Sequence, residues 1–396
     1  MKFNFISIFF LSSILLFVSS IFSEGNSQNS KIQENSLPLK FGAFVDSYHS
    51  SNFNKPSSRE RAYTTQSVRN DEFNINLAHI DGSWSTDNFR GRLALQFGSS
   101  VANNYGSEPI KDQSSNQLSV RNIQEGFVGV KLLPKLWLDG GIYFGHIGHE
   151  SWISQRNKNY TRAYALDFVP YYSSGVRMTY EVSEKFHIQL HVMNGWQNIN
   201  ENNKDKSLGL QFQYRLSNWT VTANYFGGNE APDNQRKQTR FYQNLILDWK
   251  PGEKWVLAAS QDVGWQWAGS SQIYNPIATT FLGLPGSYVE QTGRGYRQWY
   301  QGNIWISYLL NRDYRISVRW DRMQDRTQVL AQTKTQNGFN ASAYVLTFDL
   351  LQWYPSMLRF ELIRRLSQDP VFEYRKADQF SRGETVFVFA FSALWE

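Results

Sequence analysis

The sequence predicts an all-β protein, a transmembrane antiparallel up-and-down β-barrel of about 16 strands with short periplasmic turns and long extracellular loops. Three observations predict it. Segments of about ten residues alternate apolar and polar side chains from Pro38 onward. The connections between them are alternately very short and long. Trp and Tyr, 14 and 21 of the 396 residues, gather at the segment ends. A soluble β-sandwich has no reason to make every second connection short, whereas a barrel with a turn side and a loop side does.

The elements follow in chain order. Lys2, the apolar run Phe3 to Val18 and the small residues Ser19, Ser20 and Ser23 read as a signal peptide over residues 1–23. Cleavage is placed after Ser23, with Ser20 as the alternative. A membrane anchor is the competing reading, because the run is near the minimum spanning length. Residues 24–38, EGNSQNSKIQENSLP, are polar and aperiodic and read as a flexible lead-in. Residues 39–396 form the barrel.

Within it, short turns are expected at Thr86–Asn88, Leu133–Lys135, Ser183–Lys185, Leu216–Asn218, Lys250–Lys254, Leu310–Asp313 and Tyr354–Ser356. Long loops are expected at His49–Asp71, Ser99–Gln117, His146–Tyr172, Gln197–Lys206, Asn229–Thr239, Ala268–Gly295, Gln324–Asn340 and Ser367–Gly383. A first strand at Lys40–Tyr48 and a last at Thr385–Trp395 put both ends on the turn side.

Phase assigns the faces. In RISVRW, Arg315, Ser317 and Arg319 share a face with Asp321, opposite Ile316, Val318 and Trp320. SLGLQFQYR sets Leu208, Leu210, Phe212 and Tyr214 against Gly209, Gln211, Gln213 and Arg215, and FRGRLALQF sets Leu93, Leu95 and Phe97 against Arg92, Ala94 and Gln96. An Arg at the bilayer midplane costs about 2–4 kcal/mol, so the apolar face points to lipid. The polar face is then expected to line a wet interior.

Two bands of rings are expected at the membrane interfaces. Trp84, Phe89, Trp137, Phe186, Trp219, Trp249, Trp255, Trp353 and Tyr354 stand beside the turns, and Trp196, Tyr225, Trp265, Trp267, Trp299 and Phe372 near the loops. A glycan-binding surface, the rival use of Trp, would gather its rings at one site.

Other chemistry is thin. His187 and His191 are one helical turn apart by number, but on a strand they lie about 13 Å apart, too far to share a metal ion. HIGHE, His146 to Glu150, lacks the order and the helix of a zinc protease site. The glycines of GGIYFG and YFGGNE do not open a helix, so no phosphate cradle is read there. NINENNKDK reads as a solvated loop rather than a cation site, because of Lys204 and Lys206. No cofactor and no metal is expected. The net charge of +6 is spread along the chain, which leaves nucleic-acid binding unsupported. With no cysteine, the chain offers neither disulfide, thiol catalysis nor lipidated cysteine.

A resemblance enters with Asn159–Glu230. Pro170-Tyr171-Tyr172 followed by Gly175-Val176-Arg177, Asn194-Gly195-Trp196, Asn202-Asn203, Lys206-Ser207-Leu208-Gly209 and Gly228-Asn229-Glu230 resemble the middle of the β-barrel porin type 2 (OmpL-like) family of outer-membrane proteins. Gly42, Asp46, Tyr48, Asn52, Asn54 and Pro56 are similar to its first strand and loop. The resemblance implies a channel-like barrel of the bacterial outer membrane and brings no catalytic residues. One departure is the C-terminus, where Glu396 follows Trp395 although such barrels commonly finish on an aromatic residue read by the barrel insertion machinery.

The function expected is passive diffusion of small hydrophilic solutes, since about sixteen strands enclose an aqueous channel. Arg92, Arg177, Arg215, Arg315, Arg319 and Arg359 outnumber Glu181, Asp321 and Glu361 on the inward phase, which predicts a weak anion preference. The competing reading pairs each Arg with a carboxylate across strands. The third loop is expected to fold inward as a constriction, bringing Glu150 or Asp167 opposite the basic wall. Outer-membrane lipids and small solutes are the expected partners, and a homo-oligomer is compatible with the pattern. The alternative is a non-conducting barrel acting through its loops as an adhesin or structural protein. An enzyme in the barrel wall would need a nucleophile and base near the outer interface, and a soluble exported glycan binder ranks last.

Overall fold

The computed structural model of the chain describes residues 39–106, 108, 119–268, 272–275, 287–290 and 295–396. The expected signal peptide and lead-in lie outside the described residues, as do parts of the expected loops Ser99–Gln117 and Ala268–Gly295.

Sixteen antiparallel strands close into one barrel. They are β1 (Leu39–Asn52), β2 (Phe73–Ser85), β3 (Phe89–Phe97), β4 (Ile123–Leu133), β5 (Leu136–Phe144), β6 (Tyr172–Glu181), β7 (Phe186–Met193) and β8 (Ser207–Arg215). There follow β9 (Trp219–Asn229), β10 (Thr239–Trp249), β11 (Trp255–Ala268), β12 (Gly295–Leu309), β13 (Tyr314–Asp325), β14 (Phe339–Leu350), β15 (Ser356–Ser367) and β16 (Gly383–Trp395). Each strand pairs with its neighbours in sequence, and β1 closes on β16 with Ser47 opposite Phe391. Closure leaves no strand edge unpaired, the condition for placing a sheet in lipid. Two short hairpins, Gln272–Asn275 with Ser287–Glu290 and Phe372–Tyr374 with Lys376–Ser381, lie in the sixth and eighth loops.

The outward face carries the expected apolar rows. Val45, Ile80, Leu93, Val128, Leu208, Leu245, Leu346 and Phe391 are exposed, each one residue from an inward neighbour. Leu245→Arg, at the middle of β10, is therefore expected to destabilise the folded barrel in vesicles by about 2–4 kcal/mol. Urea unfolding monitored by Trp fluorescence measures this, and a cost near zero would mean the residue does not face lipid.

The ring bands form where the rings point outward: on the turn side Trp219 stacks on Trp249 at 4.8 Å, and Trp255 meets Tyr308 at 4.5 Å with the rings tilted by 45°. Four of the expected girdle residues are placed otherwise. Trp137 faces the interior, beneath the Arg90 guanidinium at 4.4 Å, while Trp196, Trp299 and Phe372 are buried. Ring identity does not fix strand phase.

The inward face also meets apolar segments of the loops. Loops 3 (145–171), 4 (194–206) and 7 (326–338) bring Leu166, Phe168, Trp196, Val329 and Leu330 onto inward Phe226, Tyr242, Trp299, Trp305, Met323 and Phe339 in one apolar cluster. A second cluster joins Phe44 and Leu77 to Trp152 and Ile153 of loop 3. A third packs Tyr160 of loop 3 on Tyr48, Val345, Ile363 and Val388. Part of the inward surface is thus packed against loop residues, because the third loop supplies apolar side chains to all three clusters.

Candidate functional site

The site is the barrel interior, and loop 3 organises it. The loop leaves β5 through a neck in which the Gly145 amide donates to the Tyr171 carbonyl at 2.9 Å. It then crosses the lumen. His149 Nδ1 lies 3.3 Å from Asp248 at the turn end of β10. Trp152 Nε1 donates to Gln96 on β3 at 3.0 Å. Gln155 donates to the Pro355 carbonyl in the last turn at 2.7 Å, and Arg156 pairs with Glu396. Reaching the turn side from the loop side, it is a crosspiece through the full depth of the wall.

Strand side chains hold this crosspiece. Asp46 on β1 accepts from Asn76 at 2.9 Å, from the Ser154 hydroxyl at 2.8 Å and from the Tyr160 hydroxyl at 2.9 Å. Glu361 on β15 accepts from the amides of Tyr160 and Thr161 at 2.6 and 2.9 Å, from the Thr347 hydroxyl at 2.7 Å and from the Thr161 hydroxyl. Arg359 donates to the Ser154 and Asn157 carbonyls, and Arg319 to those of Thr161 and Arg162. Irregular backbone is stable at membrane depth only where its polar groups are met in this way.

The eight residues singled out from the sequence are placed as follows. Arg92 pairs with Asp81 at 3.3 Å and Glu125 at 3.0 Å, and Arg177 with Asp139 at 2.9 Å. Arg315 and Arg359 both pair with Asp349, at 2.5 and 2.6 Å. Arg319 pairs with Asp321 at 2.9 Å and lies 3.5 Å from Glu150. Arg215, exposed at the turn end of β8, bonds Gln213 at 2.7 Å. Glu150 also accepts from Trp305 Nε1 and the Ala163 amide, both at 2.8 Å. Asp167 accepts from the Thr65 hydroxyl of loop 1 at 2.6 Å and from Tyr171 at 3.1 Å, lies 4.0 Å from Arg162, and lines a small cavity together with Arg319 and Arg365.

The partners that sequence reasoning missed are Asp46, Asp81, Glu125, Asp139 and Asp349. Each has the inward phase, but pairing depends on register: Asp139 stands opposite Arg177, and Asp349 opposite both Arg315 and Arg359. Gly129 makes one of these pairs fit, since a Cβ there would come 2.2 Å from Asp139 Oδ1. The HIGHE residues diverge: His146 turns to β9, His149 to Asp248 and Glu150 to Arg319. In loop 4, Glu201 pairs with Lys206, and Asp205 pairs with Lys237 of loop 5 at 2.6 Å.

His146 is a second pin of loop 3. Its Nε2–H donates to the Tyr225 carbonyl at 3.0 Å, and its ring stacks on His191 at 4.2 Å over Gly209, where a Cβ would come 2.4 Å from the ring. Burial pushes the imidazole down to about 4, and Nδ1 has no hydrogen-bond partner among the described residues. An unfolded imidazole takes its proton near pH 6.5 while the folded one stays neutral to about pH 4. Stability is therefore full above pH 6.5 and falls by roughly 3 kcal/mol as pH drops through this window. Loop 3 amides, after correction for the intrinsic pH dependence of hydrogen exchange, are expected to be less protected at pH 4.5 than at pH 7, and His146→Asn to remove His146's share of that difference. An unchanged pH response in the variant would refute the assignment.

The sequence profile of the family described as "Putative beta-barrel porin-2, OmpL-like" matches residues 38–394, essentially the whole barrel. The chain belongs to this OmpL-like porin-2 family. Among curated proteins none matches it. Solved structures similar to this family member include the outer membrane channel DcaP of Acinetobacter baumannii, at 10% identity and TM-score 0.57 over 90% of this chain and 97% of that one. The anion-selective porin from Comamonas acidovorans is similar at 7% identity and TM-score 0.57, over 90% of this chain and 99% of that one. OmpT, an outer membrane protein of Vibrio cholerae, is similar in its trimer form at 8% identity and TM-score 0.52, over 90% and 99%. At such identities the likeness is one of fold. The OmpL-like barrel is a bacterial outer-membrane, porin-like protein.

Proposed function

We propose that this porin passes small hydrophilic solutes by diffusion around loop 3, with a weak preference for anions. The observation that carries the reading is the layering of the turn-side ion pairs. Asp139 is 0% exposed, whereas its partners Arg90 and Arg177 are 28% and 17% exposed. Arg92 is more exposed than Asp81 and Glu125, and Arg315 more than Asp349. The carboxylates stand at the back of the wall and the guanidiniums toward water, so a solute meets cationic surface although most charges are paired.

Lys158 of loop 3 adds to that surface. Burial, and then the Arg315 and Arg359 guanidiniums, push its ammonium down to about 8. Its charge is present at pH 7 and lost as pH rises through 8 to 9. In planar bilayers under a salt gradient, the reversal potential is expected to report chloride preference at pH 7 and a smaller preference at pH 9. Arg215→Glu is expected to reduce it further, since the exposed Arg215 has only Gln213 as side-chain partner among the described residues. Cation selectivity of the wild type would overturn the reading.

A second reading is favoured by the apolar packing around loop 3: a non-conducting barrel that acts through its loops as an adhesin or structural protein. Absence of conductance in the wild type would select it. Both readings assign no catalytic residue. Both take outer-membrane lipids and the barrel insertion machinery as partners, the latter engaging the last strand, and both accommodate a homo-oligomer.

A further inference from the structure

Alternation in the sixteen described strands turns arginine, lysine, aspartate and glutamate inward with two exceptions, Arg322 on β13 and Arg364 on β15. Both lie near the loop-side ends of their strands and one strand apart, since Arg322 stands opposite Ser342 of β14 and Arg364 opposite Tyr344. Register therefore separates them by roughly 10 Å across the sheet and 7 Å along it.

Neither has a carboxylate partner among the described residues. Arg322 donates to the Ser342 hydroxyl at 3.3 Å and to the Asn340 side chain, and Arg364 donates to the Thr385 hydroxyl at 2.9 Å. Arg326, exposed at the base of loop 7, adds a third positive charge close to Arg322. Directly beneath, on the same lipid-facing surface, is a groove of about 570 Å³ lined by Ile304, Val318, Trp320, Tyr344, Leu346 and Leu362, with Arg364 at its loop-side edge. Arg322 is three residues from the loop-side end of β13 and Arg364 three from that of β15, which sets both toward the outer interface.

A guanidinium facing hydrocarbon is costly at the bilayer midplane, but the cost nearly vanishes at the interface. Position alone explains why the pair is tolerated. It does not explain why outward charge is confined to this patch above an apolar groove. We propose that Arg322 and Arg364 form a binding site for a phosphate-bearing anionic lipid of the outer leaflet, its phosphates on the two guanidiniums and an acyl chain in the groove. Arg suits this role because its planar fork meets phosphate oxygens in pairs. The site is independent of whether the lumen conducts.

The test is native mass spectrometry of the full chain in nonionic detergent, titrated with diphosphoryl lipid A and with the same lipid after dephosphorylation. The wild type is expected to retain one phosphorylated lipid per chain and to lose it when the phosphates are removed. Retention should weaken on the order of tenfold for each of Arg322→Gln and Arg364→Gln. Arg322→Lys combined with Arg364→Lys should recover part of the binding, and Arg59→Gln in loop 1 should leave it unchanged. Heat-modifiable migration checks folding, and if the variants fail it the dephosphorylated lipid on wild type still decides. Equal retention of both lipids, or retention unaffected by the Gln variants, would overturn the proposal. Cross-linking of two chains through Leu346→Cys would do the same, by showing that a second copy covers the patch.

Discussion

Replacing residues 149–168 by a short glycine-serine linker is expected to turn the barrel into a wide conductor, with single-channel conductance rising several-fold to tenfold in planar bilayers. A barrel of about sixteen strands encloses an aqueous channel when its interior is open, and here loop 3 supplies Trp152, Ile153, Tyr160, Leu166 and Phe168 to all three apolar clusters. The deletion should leave the barrel folded. Removing one partner of a buried ion pair is destabilising when the other stays dry. Here water enters with the deletion and solvates Asp46, Arg319, Arg359 and Glu361 together. Unchanged conductance in a correctly inserted variant would mean that loop 3 is not what fills the lumen.

The second large effect is expected at Glu361. Its carboxylate is fully buried and accepts two loop amides and two hydroxyls. Glu361→Leu leaves the Tyr160 and Thr161 amides without acceptor, at about 1–3 kcal/mol each, and also removes the hydroxyl contacts. A total of about 3–5 kcal/mol is expected, felt mainly as local release of loop 3 while the strand ladder persists. Trypsin should then cut after Arg156 or Lys158 at least tenfold faster than in the wild type, and the channel should flicker. Glu361→Gln, which keeps one acceptor oxygen, should fall between. Wild-type protease resistance in Glu361→Leu would show that the remaining contacts of Asp46, Arg319 and Arg359 suffice.

These two variants separate the functional readings. If the wild type is silent and the loop deletion conducts, the protein is a closed barrel whose loops carry its role. If the wild type conducts with chloride preference and Glu361→Leu flickers, loop 3 is the constriction of a working channel. The lipid site on β13 and β15 stands or falls separately, because its residues face away from the lumen.

Alternation read in the linear chain determined the strands, their faces, the side on which each connection lies and the membrane as solvent. A charge on the wrong phase costs kilocalories in hydrocarbon, so the pattern leaves little freedom. It placed Arg92, Arg177, Arg215, Arg315, Arg319 and Arg359 on the inward phase, and the inward phase is where they stand. It did not determine what the inward face meets. Phase is a one-residue property, whereas the Asp139 and Asp349 pairs depend on register between strands. The seat of Glu150 against Arg319, the burial of Trp299 and Trp305 and the apolar clusters depend on the path of loop 3. An irregular segment has no periodicity to read. Only the closed barrel decides where it goes, because only there do the buried carboxylates and guanidiniums that hold its backbone come together.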